Sequence, residues 1–219
     1  MPYNLNANEA RVLGCLIEKQ AATPDVYPMT LNSLVLACNQ KSNRAPLMSL
    51  DESAVIRALD GLRDGKLAFM VNLAGSRTIK YEHQADRTLR MEKQDLALLC
   101  ELLVRGPQTL AELRTRVERL WTSPDAAEVE KRLDDMVTRA DPLVVLLPRQ
   151  PGRKEARYAH LLCGAVVPEG VPAAPAEPAR IAVQMENERM AKLESEVAAL
   201  RGEMARLQTQ FTEFHRQFE

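Results

Sequence analysis

Aromatic side chains are scarce, at 4% of 219 residues with a single tryptophan. A surface that stacks successive unpaired bases needs several rings, so that mode of single-strand binding is not expected. The three histidines, His83, His160 and His215, stand far apart and match no metal-ligand or base–nucleophile spacing. No Gly-x-Ser-x-Gly elbow occurs. The stretch GLRDGK has three residues between its glycines where a phosphate loop needs four, and no Ser or Thr follows the lysine. The longest apolar run, residues 143–147, is too short to cross a bilayer. The leading MPYNLNANEA lacks a basic and then an apolar region, so no signal peptide is expected. Cys15, Cys38, Cys100 and Cys163 form no C-x-x-C pair, and three of them sit in apolar helical runs. They read as reduced core thiols of a cytoplasmic protein. Charge of one sign is also missing. The net is −1 overall, with +2 over residues 1–90, zero over 91–164 and −3 over 165–219. That is not a strongly basic nucleic-acid domain. With no catalytic, metal or cofactor pattern, a non-enzymatic protein without cofactors is expected.

What is present is periodicity. In the stretch ACNQKSNRAPLMSLDESAVIRALDGLRD a polar loop leads onto a helix, with Ser49 and Glu52 spaced as a capping box. Val55, Leu59 and Leu62 make its apolar stripe. Ser53, Arg57, Asp60 and Asp64 face away, a mixture of charge that argues against base reading by this helix alone. Earlier, Asn6 and Glu9 cap a first helix running to about Gln20, and Pro24 and Pro28 end it. An extended piece at 27–29 is placed to pair with a later hairpin, and Thr30 caps a second helix. Residues 67–73 and 78–83 are rich in strand formers around Gly75-Ser76 and predict that hairpin.

The same order then returns. Leu96, Leu99, Leu102 and Leu103 mark a helix ended by Gly106-Pro107, and Thr109 with Glu112 caps the next. Ser123-Pro124 is expected to open a third. Its stripe Val129, Leu133 and Met136 repeats Val55, Leu59 and Leu62 at a constant offset of 74. Residues 143–147 and 156–162 predict a second hairpin. Tyr81 and Tyr158 fall near the same point of the two, and His83 and His160 read as hairpin-surface residues. The expectation is a mainly α fold with small β-hairpins: two winged-helix domains, 1–88 and 89–164. A Pro/Ala-rich linker, 165–180, follows. The tail, 181–219, carries heptads of Met190, Val197, Met204 and Phe211 with Leu193, Leu200, Leu207 and Phe214. These are core positions of a coiled coil and predict a homo-oligomer.

In a winged helix the loop before the third helix and the hairpin lie on one side. Lys41 and Arg44 of the loop, Arg57 of the helix, and Arg77 and Lys80 of the hairpin are therefore candidate duplex-DNA contacts. Arg153 and Lys154, with Arg157, are their counterparts in the second copy. The alternative is ordinary surface charge with local carboxylate partners.

The stretches EARVLGCLIEKQ, TPDVYPMTLNSLVLACNQKSNRAP and LLVRGPQTLAELRTR closely resemble the YceH family of uncharacterised bacterial proteins. The resemblance implies tandem winged helices in a cytoplasmic protein and no particular activity. Its most distinctive stretch falls on Cys38, Asn39, Gln40, Lys41, Asn43, Arg44 and Pro46. Ala45 stands where the family pattern leads one to expect an acid. A DNA-binding or transcription-regulator-like role is the leading expectation, and a protein–protein adaptor is the alternative. No membrane partner is expected.

Overall fold

A computed structural model describes residues 3–72, 78–149, 155–166 and the single residue Met204. Over these the chain is mainly helical with small antiparallel sheets. The side chain of Asn6 accepts from the N–H groups of Asn8 and Glu9, and the Asn6 N–H donates to Glu9 Oε2 at 2.8 Å. This capping box starts α1 (Ala7–Ala22), as its sequence predicts. A 3₁₀ turn, Pro24–Val26, follows. Then come β1 (Met29–Thr30), α2 (Leu31–Cys38) capped by Thr30, α3 (Glu52–Asp64), and the hairpin β2 (Ala68–Val71) with β3 (Lys80–His83). A short helix not expected from the sequence, α4 (Ala85–Leu89), leads to α5 (Lys93–Arg105). After it come α6 (Leu110–Val117), α7 (Ala126–Thr138), β4 (Val144–Leu147) and β5 (Arg157–His160).

A similar order of elements occurs twice along the chain. The bounds of α3 and α7 differ by the offset read from their apolar stripes. In the first copy β3 pairs with both β1 and β2, and Tyr81 lies opposite Met29 and Met70. In the second, Tyr158 lies opposite Leu146 and bridges Gln108, which precedes the Thr109 cap as Met29 precedes Thr30. Two helix starts differ from expectation. Asp51, not Ser49, caps α3, accepting from the Ala54 N–H at 2.7 Å. Asp125, not Ser123, precedes α7, which leaves Pro124 outside the helix. In both copies an aspartate next to the first helical turn prevails, where its charge also meets the positive end of the helix.

Residues Met1–Gly170 form one compact unit, and α1 and α5 share its centre. All nine residues of α1 from Ala10 to Glu18 are buried, as are the nine of α5 from Leu96 to Val104. A helix covered on every side must pack closely somewhere, and Gly14 is that place. A Cβ there would stand 2.7 Å from Val104 Cγ1 and 3.0 Å from Leu103 Cβ. Apart from Ala165, Val166 and Met204, the expected linker and heptad tail lie outside the described residues. That includes Met190, Leu193, Val197, Leu200, Leu207, Phe211 and Phe214. Met204 itself is helical and exposed.

Candidate interaction surface

The outward faces of α3 and α7 are the natural starting point, since each helix is held down by an apolar stripe that is wholly buried. Val55, Leu59 and Leu62 anchor α3, and Val129, Leu133 and Met136 anchor α7. What α3 leaves exposed is Glu52, Asp60 and Asp64 against Arg57 and Arg63, with Ile56 beside them. Arg63 is bound to Asp60 at 3.1 Å, and Arg57 makes no ion pair among the described residues. On α7, Glu128, Glu130, Asp134 and Asp135 outnumber Lys131 and Arg132. Arg132 is itself held by Glu92 at 3.1 Å, Asp95 at 2.9 Å and Glu128 at 3.2 Å, and its guanidinium lies 5.7 Å from the Trp121 ring. Both faces are therefore net acidic.

The polar loop between α2 and α3 does not present its side chains as a group. Asn39 is turned onto the chain itself: its Nδ2 donates to the Leu50 carbonyl and its Oδ1 accepts from the Leu50 N–H, both at 2.8 Å. Asn43 sits at φ 59°, a conformation asparagine tolerates, and its Oδ1 accepts from Arg105 of α5. The Ala45 N–H donates to the Val104 carbonyl at 2.9 Å. Cys38 is buried, and its carbonyl and that of Pro46 both accept from Arg11. Lys41 is exposed and makes no ion pair among the described residues.

Arg44 corrects the sequence reading. It was expected to offer its charge outward, yet its side chain is 0% exposed. Its Nη2 lies 2.5 Å from Glu18 Oε2 and its Nη1 3.1 Å from Oε1, and further bonds run to the carbonyls of Ala37 and Asn43 and to Gln40 Oε1. Glu18 also receives Arg119, which reaches Glu101 at 2.8 Å, and Glu101 receives Arg105 at 3.0 Å. This chain of charges joins the first copy to the second. Burial alone would raise the Glu18 carboxyl, but the bonds from Arg44 and Arg119 outweigh it and hold the group at about 2. Glu18, Glu101, Arg119 and Arg11 were missed in the sequence. For Arg11 and Glu101, a charge flanked by apolar residues within a helix was the available signal.

At the hairpins Lys80 is half-buried and makes no ion pair among the described residues, whereas Arg157 is tied to Glu112 at 3.2 Å and to the Pro107 carbonyl at 2.8 Å. Arg77, Arg153 and Lys154 lie outside the described residues. The exposed face of each hairpin carries an apolar side chain across from its tyrosine, Met70 in one and Leu146 in the other. His83 is a second correction. It is buried, not at the surface, because it shares a strand face with buried Ala68, and burial pushes its imidazole down to about 4. Among the described residues no group of three or more His, Cys, Asp or Glu is placed to hold a metal ion, and no helix is long and apolar enough to cross a membrane.

Comparison with known proteins completes the description. Residues 5–153 match a family described as "Protein of unknown function, DUF480". The chain is 54% identical over 220 residues to a UPF0502 protein of Geobacter sulfurreducens, covering all of both chains. It is 55% identical to one of Geobacter metallireducens over 98% of each. It is 47% identical to one of Vibrio atlanticus over 93% of this chain and 94% of the other. These bacterial relatives agree with the YceH resemblance, and the chain belongs to the DUF480, or UPF0502, family.

Proposed function

We propose that the chain is a non-enzymatic tandem winged-helix protein whose third helices dock a protein partner, an adaptor rather than a reader of DNA bases. The observation that carries this reading is the sign of the two third-helix faces. A helix entering a groove between phosphates gains from cations and is opposed by carboxylates. Here carboxylates outnumber cations on both α3 and α7, and the strongest loop cation, Arg44, is internal. A protein partner with a basic surface suits these faces, and exposed Ile56 on α3 adds apolar contact area. The heptads of the tail support a homo-oligomer that presents several copies at once. Buried free thiols at Cys15, Cys38 and Cys100 suit a reducing cytoplasm.

A second reading keeps DNA as the partner, contacted through its backbone by Lys41, Arg57 and Lys80 and by Arg77, Arg153 and Lys154. Fluorescence anisotropy with random duplex DNA at two salt concentrations separates the two. The adaptor reading expects no affinity at moderate salt from the full chain or from a chain truncated before Arg180. Salt-sensitive binding whose slope falls in Lys80→Ala would replace it with the DNA reading. A photo-crosslinking residue at position 56 expects one discrete, protease-sensitive adduct in cells.

A further inference from the structure

Arg11 is the buried charge that the clamp between the copies leaves over. It is 2% exposed. Its Nη1 donates to the Cys38 carbonyl at 3.3 Å and its Nη2 to the Pro46 carbonyl at 2.7 Å, and its Nε has no partner among the described residues. No carboxylate there forms an ion pair with it, because Glu18, on the same helix, is taken by Arg44 and Arg119. A buried guanidinium bonded only to neutral carbonyls lacks a counter-charge, which is costly in a low-dielectric interior.

The same arginine lines a cleft of about 320 Å³ between the copies. Its walls are apolar: Ala10 on α1, Pro46 and Met48 in the loop, Leu103 at the end of α5, and Pro107 beyond it. Among the described residues no Asp or Glu lines it. His160, at the end of β5, adds an imidazole whose Nδ1 is without a partner among the described residues. A cleft of this size with apolar walls and few polar groups fits a small molecule better than a protein segment. One cation, with no carboxylate among the described lining residues, matches a single negative charge. A phosphate dianion would be left undercompensated among the apolar walls.

We propose that this cleft binds a small amphipathic carboxylate, whose head meets Arg11 and whose apolar tail lies along Met48, Leu103 and Pro107. Such a ligand touches both copies of the repeat, so it tightens the unit as a whole. Ala45, whose small side chain lines the same cleft next to Pro46, leaves the room for it.

Nuclear magnetic resonance titration of the full-length protein near neutral pH tests this with three probes of one length: hexanoate, 1-hexanol and hexylammonium. Hexanoate is expected to shift the amides of Ala10, Met48 and Leu103 saturably. Hexanol should bind about tenfold more weakly, the loss of one charge-assisted contact, and hexylammonium not at all. Ala45→Glu supplies a tethered carboxylate from the wall and should weaken hexanoate by about tenfold while raising the melting temperature of the free protein. Arg11→Gln should abolish binding. If that variant does not fold, Ala45→Glu decides. Equal binding of hexanol and hexanoate, unchanged binding in Ala45→Glu, or no saturable shift at ~20 mM hexanoate would overturn the assignment.

Discussion

The carboxylate of Glu18 and the guanidinium of Arg44 meet fork to fork, at 2.5 Å and 3.1 Å, with both side chains closed off from solvent. Two parallel charge-assisted bonds of this kind fix direction as well as distance. They fasten the loop after α2 onto α1. Removing one partner leaves the other charged and buried, so Arg44→Ala or Glu18→Ala should cost about 3–5 kcal/mol, read from urea unfolding. Replacing both with apolar residues should cost clearly less than the two single losses added together. A folded Arg44→Ala protein with near wild-type stability would show that the pair contributes nothing.

Acid should lower the stability of the protein in two successive pH windows. His83 and His160 are held down to about 4 by burial, so each is neutral in the folded state below the pH at which an unfolded histidine takes up a proton. Their contribution is present above pH ~6.5 and is lost as pH falls toward 4. Glu18, held at about 2, contributes above its unfolded value near 4.5 and loses that contribution as pH falls toward 2. Urea midpoints measured from neutral pH downward should bend in both windows. His83→Gln should flatten the upper one and Glu18→Gln the lower one.

Gly14→Ala should destabilise by about 1–3 kcal/mol, the usual cost of forcing extra atoms into a packed core. The added methyl meets Val104 and Leu103 on α5, both of them buried. Gly14→Ala combined with Val104→Ala should recover part of the loss. Differential scanning calorimetry on the single and double variants reads both effects.

Asn39→Ala removes two hydrogen bonds to Leu50 and leaves a half-buried N–H and C=O short of partners. The expected loss is about 1–3 kcal/mol. Hydrogen exchange should then quicken at the Leu50 amide, before any change in α1 or α5.

Much of this fold could be read from residue order, because the signals were local. The Asn6–Glu9 and Thr109–Glu112 boxes lie within one helical turn, and both form. The stripe Val55, Leu59 and Leu62 needs only the helical period, and its offset from Val129, Leu133 and Met136 carried over to whole helices. Arg44 could not be placed that way. Its partner lies 26 residues earlier, on a helix whose burial on every side depends on α5, still further along the chain. Asp51 and Ser49 differ for a subtler reason: both are good caps, and packing of the stripe chooses the register. The candidate surface was legible in composition, as mixed charge on α3 and α7. Which cations remain free to act on it required knowing where every carboxylate points.

Arg119 reaches Glu18 across 101 residues of chain. A ribosome adding 5–20 residues each second needs roughly 5–20 s to make that interval. For most of that interval the first helix exists and its helical partner α5 has yet to be made. The nascent chain therefore holds an apolar rod in waiting, its acid matched at first by Arg44 alone, until the second half follows.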